Sequence, residues 1–352
     1  MTRLGEKIAA LVAQAGPIGI AEYMALCLFD PEHGYYTTRE PFGSGGDFTT
    51  APEVSQMFGE LVAVWVYMAW QGAGSPPEVC VAELGPGRGT LMKDMVRTLA
   101  QFDRAFVDRT RFALVEASPR LVEVQRATLA PAPARFEWHD RIDGLPDLPT
   151  LFVGNEIFDA IPARQYVKHG ARWPERCVGL DDHGRLRFVL GSGVAHASLL
   201  PPGADRVLDG TVLEHAPARE AFMQAVAERL ARFGGAALFF DYGHLEPGFG
   251  DTLQAVRLHA PDGVLDHPGE ADLTSHVDFR SLAAVAERCG LAVQTAPQRD
   301  VLFALGLAER VEALSAGKSG AERERITGEA ERLAGSGAMG DLFKALLVTR
   351  PA

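Results

Sequence analysis

The amino-acid sequence predicts an α/β fold: a doubly wound parallel sheet, a helical N-terminal region and an inserted antiparallel ribbon. Three observations carry this. From residue 78 onward, short β-rich runs alternate with helical stretches, the rhythm of strand–helix–strand units. The first run, residues 79–84, leads directly into Gly85-Pro86-Gly87-Arg88-Gly89, and a helical pattern starts at Thr90. Between the fourth and fifth runs the alternation breaks, and short strand-like segments punctuated by turn residues take its place.

The elements follow in order. Leu4, Ile8, Leu11 and Val12 recur at helical spacing, and a second helical stretch covers 21–28. Residues 30–47 read as a loop, because Gly43, Ser44, Gly45 and Gly46 suit neither a strand nor a helix interior. Thr50-Ala51-Pro52-Glu53 opens a helix, with Thr50 as its cap and Glu53 completing a capping box; Met57, Leu61, Val64 and Met68 carry it to about residue 70. Strands are expected at 79–84, 112–115, 135–138, 151–154 and 237–240, and helices at 90–99 and 118–129. An insertion at about 164–234 holds strand-like runs 165–168, 177–180 and 186–190, then a helix over 218–233. Residues 251–278, rich in His, Asp, Gly and Pro, read as a long functional or disordered loop. Asp278 caps a helix ending near Cys289; a strand at 291–295, helices across 300–335 and a last strand at 342–349 complete the chain. The expected division is a helical cover with a glycine-rich lid over 1–77 and the sheet domain over 78–352.

Composition narrows the possibilities. The chain has 352 residues, 47% of them hydrophobic, enough to bury a sizeable core and to exclude disorder over most of its length. The formal net charge of −12 repels phosphate backbones, so no nucleic-acid partner is expected. The longest apolar run, 61–70, is too short to span a bilayer, and membrane insertion is not expected. The opening residues read as an amphipathic helix rather than a signal or transit peptide, which makes the cytoplasm the expected location. Cys27, Cys80, Cys177 and Cys289 are scattered, without metal or disulfide spacing. His259, His267 and His276 stand near Asp262, Asp266, Asp272 and Asp278 but lack tight ligand spacing, so ordinary loop histidines are expected and no metal. No G-x-S-x-G elbow supplies a serine nucleophile.

The glycine turn carries the chemistry. A dinucleotide loop would place a third glycine at 90, where Thr90 stands, and a P-loop would end in Gly-Lys-Ser/Thr, which Gly89-Thr90-Leu91 lacks. An acid two residues before the first glycine (Glu83), then G-x-G-x-G, resembles the first motif of class I S-adenosyl-L-methionine methyltransferases. That cofactor has no phosphate and needs no phosphate cradle. A ligand-free strand–helix turn is the competing reading of this stretch alone. Glu116 ends the second strand, at the edge where open α/β sheets bind ligands, and can accept two ribose hydroxyl protons; a helix-capping or solvated acid is the alternative. His139-Asp140 ends the third strand, where fold analogy places adenine contacts. The fourth strand ends in Asn155-Glu156-Ile157-Phe158-Asp159-Ala160-Ile161-Pro162. Glu156 there can grip a guanidinium bidentately. Asp159 either assists it or caps a short helix before Pro162. At the end of the fifth strand, Tyr242 can wall the pocket and Asp241 can be a buried structural acid.

Five motifs in order make the chain resemble the MidA family over nearly its whole length. They are Gly46-Asp47-Phe48-Thr49-Thr50-Ala51-Pro52-Glu53-Val54-Ser55-Gln56-Met57-Phe58-Gly59-Glu60, Glu83-Leu84-Gly85-Pro86-Gly87-Arg88-Gly89-Thr90-Leu91, the Asn155 to Pro162 segment, Asp241-Tyr242-Gly243, and Ala271-Asp272-Leu273-Thr274-Ser275-His276-Val277-Asp278-Phe279. Thr49 and Ala51 are mild departures, since the family often has Ile and Ser there. The resemblance implies a class I (Rossmann-like) methyltransferase fold, S-adenosyl-L-methionine as cofactor, and a protein substrate carrying a target arginine, as in the mitochondrial members that act on a complex I subunit. Carried over, Glu83, Gly85, Gly87 and Gly89 belong to the cofactor loop, Glu116 to the ribose and Asp140 to the adenine end. Gly46-Asp47-Phe48 folds over the cofactor as a lid, with Thr50 on its cofactor side. Asn155 and Glu156 line the methyl-transfer site, with Asp159 as a further catalytic candidate whose capping alternative stays open. A cofactor-binding assembly chaperone without turnover, docking a subunit through 165–190 and 251–278, is the alternative, and a nicotinamide oxidoreductase is disfavoured by Thr90.

Overall fold

Strand β1 (Val79–Leu84) is buried at every position, as a strand covered on both faces must be. It pairs in parallel with β2 (Thr110–Val115), Val81 opposite Phe112, and β2 pairs in parallel with β3 (Phe136–His139). On its other side β1 pairs in parallel with β4 (Thr150–Asn155), Val81 opposite Leu151, and β4 with β5 (Gly235–His244). Beyond lie β6 (Ala292–Pro297) and β7 (Phe343–Thr349). The order is β3-β2-β1-β4-β5-β7-β6. Strand β7 is the exception to the parallel pattern. It runs antiparallel to both neighbours, with Leu346 opposite Phe239 of β5 and Thr295 of β6.

The computed structural model describes residues 1–38 and 49–351. They form two compact units. One comprises the described parts of Met1–Phe48 with Phe158–Phe222 and Glu246–Asp278; the other comprises Thr49–Ile157, Met223–Leu245 and the described part of Phe279–Ala352. The division expected at 77/78 differs from this one, and the helix α1 (Gln56–Gly72) shows why. Its Met57, Phe58, Leu61, Val62 and Val66 are buried with Val81, Leu151, Leu238 and Phe240 in a single core. Full burial of each such side chain is worth roughly 1.5–3 kcal/mol, so α1 is part of the sheet unit rather than a cover on it. Phe58 meets Phe240 edge-on, ring centroids 5.1 Å apart.

The start of α1 also departs from expectation. Thr50 has the extended backbone of a cap residue, but among the described residues its side chain caps no amide; the short helix Ala51–Val54 ends at Ser55. The extended Ser55 breaks the helix, and its own hydroxyl accepts from Met57 N to start α1 afresh. Glu53 does not close a capping box. Its Oε1 accepts instead from Thr90 Oγ1 at 2.6 Å. Helix α2 (Thr90–Phe102) follows the glycine turn, and α3 (Pro119–Leu129) is capped by Ser118, which accepts from Leu121 N.

In the other unit, helices Arg3–Ala15 and Ile20–Phe29 bury Leu4, Ile8, Val12, Ile20, Met24 and Leu28 in its core. The expected ribbon is an antiparallel sheet: Ile18–Gly19, Pro174–Leu180, Arg164–Val167 and Val212–His215 in order, with Leu186–Val194 also paired to Pro174–Leu180. Residues 251–278, expected as a loop, carry a small sheet of their own, Gln254–Arg257 between Ala260–Asp262 and Asp272–Thr274. Ala255 and Leu273 face each other across it and are buried. Strands of three or four residues leave too little alternation for a period to be read.

Candidate active site

The strand order reverses between β1 and β4, and open α/β sheets bind ligands at the carboxyl ends of such strands. On β1, Glu83 is 3% exposed and its Oε2 is buried without a hydrogen-bond partner. Burial pushes this carboxyl well above the usual glutamate range, against the pull of the Met92 amide, and Glu116 adds to the push. Gly85, Gly87 and Gly89 follow with φ of 64°, 51° and 80°. The positive φ of Gly85 favours glycine, and a Cβ there would stand 3.0 Å from Ile157 Cδ1 and have to push that side chain aside. Gly89 precedes α2 and brings no side chain to compete for the first amides of that helix.

Glu116 directly follows β2, and its amide donates to His139 O at 2.9 Å. Its Oε1 accepts from Ser118 N at 2.8 Å and its Oε2 from Gln125 Nε2 at 3.1 Å. The Ala117 amide is a further donor beside it, and with about four lone-pair sites the carboxylate still has acceptor capacity. Burial raises this carboxyl too, opposed by its hydrogen bonds. Asp140, directly after β3, is exposed.

Strand β4 ends at Asn155, and Glu156 beyond it has φ of 53°, a left-handed conformation that costs a side-chain-bearing residue about 1 kcal/mol or more. Its surroundings hold it there. Glu156 N donates to Phe240 O at 2.9 Å, and its Oε1 accepts from Asn155 Nδ2 at 2.7 Å and Ala51 N at 3.4 Å. Asn155 Oδ1 is buried without a hydrogen-bond partner. Backbone strain that persists in this way clusters at functional sites. Asp241 is fully buried and accepts from Tyr242 N at 2.9 Å, which fits the structural acid expected of it.

Asp159 belongs to the other unit. No helix precedes Pro162 for it to cap; residues 158–161 form a turn, closed by Ile161 N donating to Phe158 O. Its Oδ1 accepts from Ala160 N, and its carbonyl accepts from the buried Arg219, which also donates to Ile161 O, His276 O and Ser275 Oγ. The Gly46-Asp47-Phe48 lid lies outside the described residues, so of the family's lid motif only the part from Thr49 is seen.

Two features escaped the sequence. One is the Thr90–Glu53 bond. The other is Gln125, fully buried on α3, which donates to Gly87 O at 2.9 Å as well as to Glu116, and accepts from Trp138 Nε1 at 3.0 Å. A signal for it existed: Leu121, Gln125 and Leu129 lie four apart on the buried face of α3, and a polar residue in that stripe needs partners.

Two buried acceptor atoms without partners and a carboxylate with capacity to spare suit a ligand bearing hydroxyls and positive charge, and the left-handed glycines with the uncapped helix start suit a carboxylate on the same ligand. S-adenosyl-L-methionine offers a ribose diol, an ammonium and a sulfonium. Fold and site together define a class I S-adenosyl-L-methionine-dependent methyltransferase. Residues 61–296 match the family described as "Putative S-adenosyl-L-methionine-dependent methyltransferase", and the chain belongs to that family. A mitochondrial protein arginine methyltransferase NDUFAF7 homolog of Drosophila melanogaster is 34% identical, over 97% of this chain and 84% of that protein. The mitochondrial protein arginine methyltransferase NDUFAF7 of Mus musculus is 33% identical, over 90% and 78%. A crystal structure from Burkholderia thailandensis, bound to S-adenosyl-homocysteine, superposes with a TM-score of 0.87 at 29% identity, covering 99% of this chain and 92% of that one. No helix among the described residues is long and apolar enough to cross a membrane.

Proposed function

We propose that this methyltransferase acts on an arginine side chain of a protein, in the cytoplasm, and that the protein is a subunit of respiratory complex I. The names of the relatives support the arginine, and the resemblance to the MidA family supports the subunit. The observation that carries the reading is Glu156: a strained acid at the end of β4, its Oε1 fixed by Asn155 and Ala51. Bound cofactor supplies a methyl group on a positively charged sulfur. Gly85, Gly87 and Gly89 shape the backbone around its methionine end, Glu83 faces the positive charge there, and Glu116 takes the ribose hydroxyls. Asp140 serves the adenine end, Thr50 is a further cofactor contact, and Gly46, which lies outside the described residues, completes the proposed set. Glu156 holds the target guanidinium, aided by the Asn155 side-chain oxygen, and Asp159 of the same motif is the second candidate acid. A guanidinium is protonated at neutral pH, so it must lose a proton as the new N–C bond forms, and Glu156 polarises it and receives that proton. Holding nucleophile and methyl in line supplies most of the remaining acceleration.

The test is Glu156→Gln, read two ways. Transfer of labelled methyl groups into proteins of cells lacking this chain should fall by about 100-fold or more, the range for losing a positioned acid–base group. S-adenosyl-homocysteine affinity, by calorimetry, should hold within about threefold, since binding keeps its contacts. Undiminished transfer sinks the assignment. Comparing methylarginine across the proteomes of deletion and complemented strains identifies the target. A complex I subunit that is stabilised but unmethylated would favour the chaperone instead.

A further inference from the structure

We propose that Gln125 is a positioning residue of the cofactor site: it sets the Glu116 carboxylate for the ribose diol and locks that carboxylate to the glycine loop. This rests on Glu116 being the ribose ligand. The side chain sits at a junction of four segments. From α3 it donates one N–H to Gly87 O in the loop after β1 and the other to Glu116 Oε2 after β2, and its Oε1 accepts from Trp138 Nε1 on β3. All three polar functions of the amide are thereby used in a site of zero exposure.

Chemistry fixes its orientation. A flipped amide would set Oε1 against the Gly87 carbonyl and the Glu116 carboxylate, acceptor against acceptor, and would turn its NH2 group onto the Trp138 donor. Trp138 is itself held, with the Arg126 guanidinium 4.2 Å above its ring. The consequences reach both ends of the cofactor cradle. Gly87 has φ of 51°, and its carbonyl is drawn onto Gln125, which fixes the peptide plane at the middle of the loop. The carboxylate of Glu116 is pinned at both oxygens, by Ser118 N and by Gln125, so that rotation about its last bond is blocked and its remaining lone pairs keep one direction. A carboxylate fixed before the diol arrives binds it without first losing rotational freedom. A leucine or methionine would fill the same place in the buried stripe of α3 and do none of this.

The experiment is a double-mutant cycle read by S-adenosyl-homocysteine calorimetry. Gln125→Met, close in volume but without donors, should weaken binding by roughly 10-fold, the scale of one hydrogen bond to a charged group. Methyl transfer at saturating cofactor should stay within about twofold, the loss appearing in the cofactor KM. In a Glu116→Ala background the same substitution should cost clearly less than in wild type, because the carboxylate it positions is gone and only its bond to the Gly87 carbonyl remains to be lost. A purely structural glutamine predicts the same loss in both backgrounds, and that outcome overturns the proposal while leaving the ribose reading intact. Wild-type affinity in Glu116→Ala alone overturns the ribose reading and the proposal with it. Should Gln125→Met fail to fold, Trp138→Phe removes the donor that orients the amide and leaves the rest; weaker binding present in wild type and absent in Glu116→Ala supports the proposal, and equal loss in both sinks it.

Discussion

The hydroxyl of Thr90 donates to Glu53 Oε1 over 2.6 Å, tying the first residue of α2 to the short helix before α1. Two residues from Glu53, Ala51 N reaches Glu156 Oε1 at 3.4 Å. The segment 51–53 therefore touches both the start of the cofactor-loop helix and the acid at the end of β4. Thr90→Val keeps the shape and deletes the bond. We expect a loss of about 1–2 kcal/mol in stability, the value of a half-exposed charge-assisted hydrogen bond, together with slower methyl transfer. Chemical denaturation gives the first quantity; an unchanged midpoint would show that water replaces the hydroxyl without cost.

Glu156→Gly and Glu156→Ala remove the same carboxylate, so both should abolish transfer. They differ only in what they do to a backbone held at φ of 53°. Glycine adopts that conformation freely and alanine does not, so the glycine variant should be the more stable of the two by about 1 kcal/mol. Equal stabilities would mean that the chain relaxes out of the left-handed region once the side chain is gone.

Glu83 makes stability depend on pH in a stated direction. Burial raises its carboxyl, so the folded protein holds that proton more tightly than the unfolded chain. The stabilisation is complete below the ordinary glutamate value and is lost as pH rises through the raised one. Glu83→Gln carries no proton to lose. In cofactor-free melts across a pH series, the wild type should lose stability relative to Glu83→Gln as pH climbs. Parallel curves would remove Glu83 as the source.

Much of this molecule is legible in the sequence because β1 and α2 flank a turn whose glycines reach positive φ that other residues rarely adopt. The parallel strands show as apolar runs, Glu116 and Glu156 stand out just beyond strand ends, and Glu83 stands out two residues before the first glycine of the turn. What stayed hidden was set by partners distant in sequence. Glu53 was assigned to a capping box by spacing, yet Thr90, 37 residues away, holds it. Gln125 stands out as a polar residue in the apolar stripe of α3, but nothing local to it names Gly87, Glu116 and Trp138 as its partners. The positive φ of Glu156 has no composition signal at all. Residues 251–278 hid a sheet because its strands are shorter than any period.

Strand β7 lies between β5 and β6 and is hydrogen-bonded to both. During synthesis β6 is complete 45 residues before β7 begins, and has no neighbour in this sheet until β7 arrives. The nascent protein must carry two open strand borders, on β5 and β6, which a stray extended peptide can occupy. A chain stopped between Pro297 and Phe343 would lack the strand that joins β5 to β6, and its sheet would end at an unprotected β5.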